Sequence, residues 1–259
     1  MHLSESTWPD AAGVETDLAI LPVGSTEQHG PHAPLSTDAL AAETIAAAGA
    51  DAYDGEVVVA PVIPVGVAEE HRHFAGTLWV SEDTFRAYVR ETVGSLAAHG
   101  WDRVVVVNGH GGNVAPLREV CGRITRHDDA YAVPFTWFDA VSLDAAGAET
   151  SDDRDAPPVD LDEIAMGHGG PVETALVRAV APELVREGRL DEAADGAADS
   201  WGEWVSGTNL AYDSAEFSEN GAVGDPRAGT SELGAWLRER AAGKLATLLD
   251  AVAARERSD

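Results

Sequence analysis

The stretch RVVVVNGHGGN, residues 103–113, decides the fold class of this chain. Its first half, Arg103 to Val107, contains a continuous β-branched run of four valines, which is typical of a central parallel strand covered on both faces. The polar segment NGHGGN follows at once, and helical periodicity then runs from Asn113 to Arg126. A strand that leads through a glycine-rich turn into a helix indicates an α/β fold.

Strand and helix signals alternate on both sides of that stretch. Apolar runs predict further strands at residues 18–23, 57–65 and 131–138, and two prolines make the far half of the second run an edge or loop. Helices are predicted at residues 37–48 (ending at Gly49), 81–100, from about 172, and 231–254. This order predicts a mostly parallel central sheet with helices on both faces, in a single domain spanning residues 1–259. The acidic, proline-containing stretch at about 145–163 is expected to form an exposed insertion or lid.

The charge balance restricts the partners of this protein. Seventeen Lys and Arg stand against 45 Asp and Glu, so the net charge is −28, and Lys244 is the only lysine. This excess argues against a nucleic-acid partner and against an anionic membrane surface. It is the composition expected of a salt-adapted, halophilic cytosol, where salt screens the repulsion, and the alternative is a merely acidic protein.

Cysteine content and targeting signals point to a cytoplasmic protein. Cys121 is the only cysteine, so neither a disulfide nor a cysteine-based zinc site is expected within one chain, and it is predicted to be a buried helix residue. The first residues carry no signal-peptide pattern, and no apolar run approaches 18 residues.

The first motif with chemical content is GSTEQHGPHAPLSTD, residues 24–38, directly after the first strand. Glu27 and His29 are two residues apart, so both side chains leave the same face of an extended backbone. Asp38 follows near the start of the next helix, after a loop stiffened by prolines. Carboxylates and imidazole together suit Zn²⁺, Mn²⁺ or Fe²⁺. The alternative is a polar loop in which Asp38 or Thr37 caps the helix.

The second motif is NGHGGN, residues 108–113. It resembles a dinucleotide fingerprint, but Val114 stands at the third glycine and His110 would occupy the crowded turn. The glycines instead allow His110 to point out of the sheet edge. Because the carboxyl ends of parallel strands meet at one edge, both motifs are expected to form one site with His110 as a further ligand.

The third motif is GHGGPVETA, residues 167–175. Glu173 falls in the first turn of a predicted helix, where it could ligate a metal or only complement the helix dipole. His168 could be catalytic or an ordinary loop histidine. Serine-hydrolase signatures are missing from the sequence and Cys121 has no recognisable histidine partner, so metal-activated water is the expected nucleophile.

These three motifs, together with HFAGT at residues 73–77, resemble the creatininase family (creatinine amidohydrolase and relatives) over roughly residues 18–180. The resemblance implies a three-layer αβα sandwich and two divalent metal ions per chain, Zn, Mn or Fe. It implies that Glu27, Asp38 and His110 hold one ion, and that His29 and Asp38 hold the other. It also implies that His168 protonates a leaving nitrogen, and that the chain forms a homo-oligomer such as a hexamer.

The sequence departs from the family pattern at several positions. Creatinine-hydrolysing members carry a tyrosine and a metal-binding glutamate where this chain has Gly111 and Gly112. Many relatives have a glutamate in place of Pro171, and the usual FPGT reads FAGT. Glu173 is therefore the predicted replacement for the missing ligand.

Two residues are expected to bind substrate. His73 belongs to the HFAGT stretch, and Trp137 follows the fourth predicted strand, where it could lie over a flat ring or be a core aromatic.

The predicted function is hydrolysis of a C–N bond in a small cyclic amide or formamide by water that two metal ions activate. Within the family, the alternatives are the formamidopyrimidine ribotide deformylase of archaeal flavin and deazaflavin synthesis and a cofactor-maturation peptidase. The alternative outside enzymes is a metal- or nucleotide-binding protein that has lost catalysis.

Overall fold

The computed structural model describes residues 1–141, Pro158, Ile164 and residues 166–256. The predicted insertion or lid at about 145–163 lies outside the described residues, apart from Pro158. Among the described residues, the central sheet has four parallel strands: β1 Leu18–Val23, β2 Val58–Val59, β3 Arg103–Asn108 and β4 Tyr131–Thr136. Their order across the sheet is β2-β1-β3-β4.

Helices cover both faces of this sheet, because the side chains of each strand alternate between two apolar layers. Leu18 and Ile20 face one layer, which is completed by helices within residues 37–52, 171–180 and 231–253. Ala19 and Leu21 face the other, which is packed against helices within residues 82–98 and 114–127. The predicted three-layer αβα sandwich is therefore confirmed. The helix bounds are α1 Trp8–Ala12, α2 Thr37–Ala52, α3 Glu82–Ala98, α4 Val114–His127, α5 Trp137–Ala140, α6 Pro171–Val180, α7 Leu190–Gly196 and α8 Ser231–Ala253. A small antiparallel hairpin joins β5 Trp204–Val205 to β6 Thr208–Asn209.

Three element boundaries differ from the sequence prediction. Gly49 does not end α2; a β-carbon there would lie 2.4 Å from Leu245 of α8, so the glycine permits close helix packing. The run at 57–65 yields only the two-residue strand β2, followed by an isolated bridge between Ile63 and Val23. β4 ends at Thr136, and the chain turns directly into α5.

The edge that carries the motifs is formed by the level ends of β1 and β3. Val23 pairs with Asn108, so the loops after these two strands start side by side. Cys121 is buried in α4, as predicted, and burial raises the pKa of its thiol to about 12. Within the described ranges, no helix has the length and apolar character needed to cross a membrane.

Candidate metal centre

Two glycines bring the first turn of α2 onto the ends of β1 and β3. A β-carbon at Gly24 would lie 2.5 Å from the backbone of Ala39, and one at Gly109 would lie 2.1 Å from the carbonyl oxygen of Asp38. Any larger residue at either position would push the helix away from the sheet. This close packing places the Asp38 side chain between the loop after β1 and the loop after β3.

A first group of buried side chains, the strand-end group, consists of Glu27, Asp38 and His110. The Nδ1 atom of His110 lies 3.2 Å from Glu27 Oε1 and 3.2 Å from Asp38 Oδ2. Ligand atoms of all three residues fall within 4.8 Å of one another, as a shared cation requires.

A second group, the loop group, consists of His29, His168 and Glu173, whose ligand atoms also lie within 4.8 Å of one another. His29 Nε2 lies 3.7 Å from Glu173 Oε2, and the rings of His29 and His168 are 4.3 Å apart. The same Nε2 atom lies 3.0 Å from Asp38 Oδ1. Asp38 therefore presents one oxygen to each group, and the two groups form one continuous cluster.

Each of His29, His110 and His168 has one ring nitrogen that faces the carboxylates of the cluster (the inner nitrogen) and one that faces away from them (the outer nitrogen). The outer nitrogens donate to backbone carbonyls. His29 Nδ1 donates to Glu27 O (3.2 Å) and His110 Nε2 donates to Val67 O (2.6 Å). His168 Nε2 donates to Gln28 O at 2.7 Å. A metal-bound histidine usually donates its second N–H in this way, because the bond fixes the tautomer and the ring orientation. The inner nitrogens are therefore the ones available to an ion.

Three carboxylate oxygens in the cluster have no hydrogen-bond partner among the described residues. They are both oxygens of Glu27 and Oδ2 of Asp38, and all three are shielded from solvent. Buried carboxylate oxygens without a partner carry a large desolvation cost, which paired charges or metals normally offset. Carboxylate oxygen and imidazole nitrogen are ligands that Zn²⁺ and related ions accept. The residues present therefore fit a divalent metal centre.

Burial and mutual attraction shift the pKa values in the cluster. Burial raises the pKa of Glu27 to about 7. Burial opposes a charge on Asp38 as well, but attraction to His29 and His110 brings the pKa of its carboxyl below the ordinary value. Burial lowers the pKa of His168 to about 4, so its imidazole is neutral at neutral pH.

Glu173 lies in the first turn of α6 and faces the cluster. Its Oε2 accepts the backbone N–H of Gly169 at 2.6 Å, and the side chain is buried. The loop before α6 is secured by a bridge in which His168 and Val223 exchange backbone hydrogen bonds of 3.0 and 2.7 Å. Both sequence interpretations of Glu173 are compatible with this placement, because it occupies a helix N-terminus and also approaches His29.

Position 112, where creatinine-hydrolysing relatives carry a glutamate, is closed to side chains in this protein. A β-carbon on Gly112 would lie 2.1 Å from Val67 O and 2.5 Å from His110 Nε2. It would also lie 2.9 Å from Oε1 of Glu70, whose carboxylate stands 3.7 Å from the same His110 nitrogen. The loop preceding Glu70 therefore fills the space that a residue-112 ligand would need.

The structure does not bring the two predicted substrate-binding residues into the cluster. His73 is half-exposed and pairs with Asp213 at 3.2 Å. Trp137 is fully buried in the core and, with Asp38 and Glu173, borders a void that has no room for a water molecule. The predicted contact of Trp137 with a flat substrate is therefore corrected to a core position, because β4 ends one residue earlier and α5 turns the indole inward.

His71 and Trp201 are parts of the cluster that the sequence interpretation missed. The ring of His71 stacks on His168 with centroids 4.3 Å apart, and its Nε2 lies 3.4 Å from Glu27 Oε1. The ring of Trp201 lies nearly perpendicular to the rings of His71 and His168, with centroid distances of 5.6 Å and 5.8 Å. His71 stands two residues before His73, so the pair could have been detected as alternating histidines. Trp201 comes from a distant loop without a local signal.

Comparison with known proteins identifies the relatives of this chain. The family model for creatininase, described as creatinine amidohydrolase, matches residues 4–249. A mycofactocin precursor peptide peptidase of Mycobacterium ulcerans is 33% identical over 71% of this chain and 64% of its own length. A creatinine amidohydrolase of Pseudomonas putida is 29% identical over 71% of this chain and 74% of its own length. A solved structure named creatininase Mn superposes with a TM-score of 0.78 at 23% identity, over 98% of this chain and 99% of that one.

Proposed function

This chain belongs to the creatininase family of hydrolases, and from that premise we propose that it is a metal-dependent hydrolase of an amide C–N bond. The observation that carries the proposal is the set of buried carboxylate oxygens without partners, opposed by inward-facing imidazole nitrogens.

The strand-end group would hold one divalent ion. His29 and Glu173, together with the second oxygen of Asp38, would hold the other. Zn²⁺, Mn²⁺ and Fe²⁺ all accept this mixture of oxygen and nitrogen ligands. When bound, such ions supply an attacking group at neutral pH, because they lower the pKa of water, and they polarise the amide carbonyl.

His168 would move the proton during the reaction. Its Nδ1 is unprotonated when Nε2 donates to the Gln28 carbonyl, and it lies 3.9 Å from Glu27 Oε1. It can therefore take a proton from the attacking water and pass it to the leaving nitrogen, as a general base and then a general acid do. Trp201 lies against this ring, with centroids 5.8 Å apart.

A short peptide is the substrate class that the relatives support best. Two relatives that are 33% and 36% identical are named as peptidases that act on a precursor peptide. A small cyclic amide is the second candidate, because a relative at 29% identity is named creatinine amidohydrolase. The closure of position 112 favours the first candidate, because the glutamate typical of creatinine-hydrolysing members has no space here. We also propose that the protein acts in the cytoplasm and forms a homo-oligomer.

The test is turnover by purified protein that has been loaded with Zn²⁺, Mn²⁺ or Fe²⁺ in high salt. The substrates are creatinine, N-formyl compounds, small lactams and a set of short peptides, and mass spectrometry detects C–N cleavage. We expect hydrolysis that a chelator abolishes and added metal restores. Cleavage that persists in chelator, or no cleavage by a protein with its full metal content, would contradict the proposal.

A further inference from the structure

The side-chain amide of Gln28 has its orientation fixed by the backbone. Its Oε1 accepts the N–H of Gly30 at 2.9 Å, and its Nε2 donates to the carbonyl of Gly221 at 2.9 Å. A backbone N–H can only donate and a carbonyl can only accept, so the oxygen and nitrogen cannot exchange places. Gly221 has a φ of +84°, and a β-carbon there would lie 2.2 Å from the amide. The close contact therefore requires glycine.

The fixed amide determines which nitrogen of His71 carries the proton. The second N–H of Gln28 points to His71 Nδ1 at 2.8 Å, so Nδ1 must accept. The hydroxyl of Ser214, 3.0 Å from the same nitrogen, can also donate to it or to the carbonyl of Glu70. A neutral imidazole has one N–H, which is then on Nε2. That atom faces Glu27 Oε1 at 3.4 Å.

The backbone of the same residue determines the opposite tautomer in His168. The carbonyl of Gln28 accepts from His168 Nε2 at 2.7 Å, which leaves the lone pair on Nδ1. This Nδ1 also faces Glu27 Oε1, at 3.9 Å. The two rings are nearly parallel, with 15° between their planes.

We propose that Gln28 is a positioning residue that holds the stacked imidazoles of His71 and His168 in opposite tautomers. His71 then directs an N–H at Glu27, and His168 directs a lone pair at the same carboxylate. This inference rests on the proposed function for its catalytic meaning: only His168 can accept the proton of the attacking water, while His71 supports the Glu27 carboxylate. Both histidines are buried, but one donates a hydrogen bond to Glu27 and the other accepts a proton.

One structural consequence concerns where ions can bind. Glu27, His71 and His168 also lie close enough together to hold an ion. In the proposed tautomer, the nitrogen that His71 directs at this group is protonated and cannot ligate. One ion is therefore assigned to the strand-end group and the other to His29, Glu173 and Asp38. His71 is not a ligand, and His168 keeps its Nδ1 lone pair for the proton.

The tautomers can be read by ¹⁵N NMR of histidine side chains, in which protonated and unprotonated ring nitrogens have separate shifts. In metal-free protein at neutral pH, we expect His71 to show N–H at Nε2 and His168 to show an unprotonated Nδ1. His71→Gln and His168→Gln variants assign the signals. If His71 carries its proton on Nδ1, or if both rings show the same tautomer, the proposal is overturned.

Gln28→Met removes the side-chain amide and keeps the backbone carbonyl. We expect His71 to become a mixture of tautomers, whereas the His168 signals keep their pattern. Ser214→Ala is the matched control, because it removes the other group at His71 Nδ1 and should leave both tautomers unchanged. A single unchanged tautomer of His71 in folded Gln28→Met contradicts the proposal. If Gln28→Met does not fold, the spectrum of the unmodified protein still decides.

Metal titration separates failure of this inference from failure of the proposed function. We expect Zn²⁺ to leave the Nε2–H signal of His71 in place. His71→Gln should bind as many ions as the unmodified protein, with affinity lowered by about 10- to 100-fold. His73→Gln, two residues away and outside the cluster, should bind normally. Loss of one ion in His71→Gln would make His71 a ligand and overturn the inference. Failure of the unmodified protein to bind Zn²⁺ would overturn the proposed function, and the tautomers would still be measured.

Discussion

The strand-end group and the loop group share Asp38 but are constructed differently. Glu27 and His110 follow directly from two adjacent strands, whose ends are level and contact the first turn of α2 through Gly24 and Gly109. The loop group depends on the segment before α6, which lies more than 50 residues further along the chain and is secured by a short backbone bridge. The first group is thus part of the sheet, whereas the second is completed by a loop.

This difference indicates that the two halves of the centre should respond separately to substitution. The parallel strands and the first turn of α2 position the strand-end group without a contribution from side chains of the C-terminal third of the chain. The second group needs Glu173 to be brought to His29, over a distance of 3.7 Å in the structure. Substitutions should therefore divide into those that affect both ions and those that affect one.

The largest effect is expected for Asp38→Ala, because this carboxylate contacts both groups. We expect activity to be abolished and metal content to fall by more than one equivalent per chain, as measured by elemental analysis of purified protein. Asp51→Ala, an exposed position on the same helix, is the control and should retain both. Loss of one metal or none would contradict the shared role of Asp38.

Glu173→Gln should remove the second ion selectively and lower turnover by orders of magnitude while the fold stays intact. Metal stoichiometry and steady-state rates measure this. If Glu173 only complements the helix dipole, the same change costs about 0.3–1 kcal/mol of stability and little activity. Glu232→Gln, in the exposed first turn of α8, is the matched helix-end control. A stable variant with two metals and normal rates would exclude Glu173 as a ligand.

Gly112→Ala should destabilise the strand-end group without supplying a ligand. The added β-carbon meets the backbone oxygen of Val67, which cannot rotate away, so we expect a loss of about 1–3 kcal/mol in the free energy of unfolding. Gly111→Ala is the neighbouring control, since its β-carbon would meet nothing within 4 Å. Chemical denaturation measures both. Equal stability of the two variants would show that position 112 is open.

Lowering the salt concentration should have a smaller and uniform effect. With a net charge of −28, surface repulsion is screened at molar salt but acts over about 30 Å at 0.01 M. We expect the melting temperature to fall by several degrees, and to fall equally in NaCl and KCl, because screening depends on ionic strength. An unchanged melt between molar and 10 mM salt would refute the salt-adapted interpretation.

The position of the strand-end group could be predicted from strand topology, whereas His168 and Glu173 of the loop group were named only from their motif and from the family resemblance. The valine run before Asn108 and the apolar run before Gly24 identify adjacent parallel strands, and parallel strands bring their following loops to one edge. The resemblance to a known family then gave the three-layer fold, which the structure confirms. Helix ends were less predictable, because Gly49 is used for contact with α8 and not for termination.

The residues that were missed or misplaced depend on tertiary contacts. Trp137 was expected beside the substrate and Trp201 was not considered, although it is Trp201 that contacts the histidines. Which tryptophan faces the cluster is decided by how a distant loop folds back, and spacing along the chain contains no such information. The alternation of His71 with His73 marks the pair but does not show which of them faces the cluster. The 3-10 turn at residues 69–71 brings His71 to Glu27.

The close contact of Gly49 with Leu245 links the packing of α2 on α8 to the orientation of Asp38. The helix has 16 residues and is therefore about 24 Å long. It is held near one end by α8 and at the other by the strand ends beneath Asp38. A bulkier residue at Gly49 would push the C-terminal end of α2 away from α8. Because the N-terminal end stays in contact with the strand ends, the helix axis would tilt and the Asp38 carboxylate would change its orientation. The alignment of the centre is thus also set at an apolar contact between two helices, remote from any charged group that takes part in the chemistry.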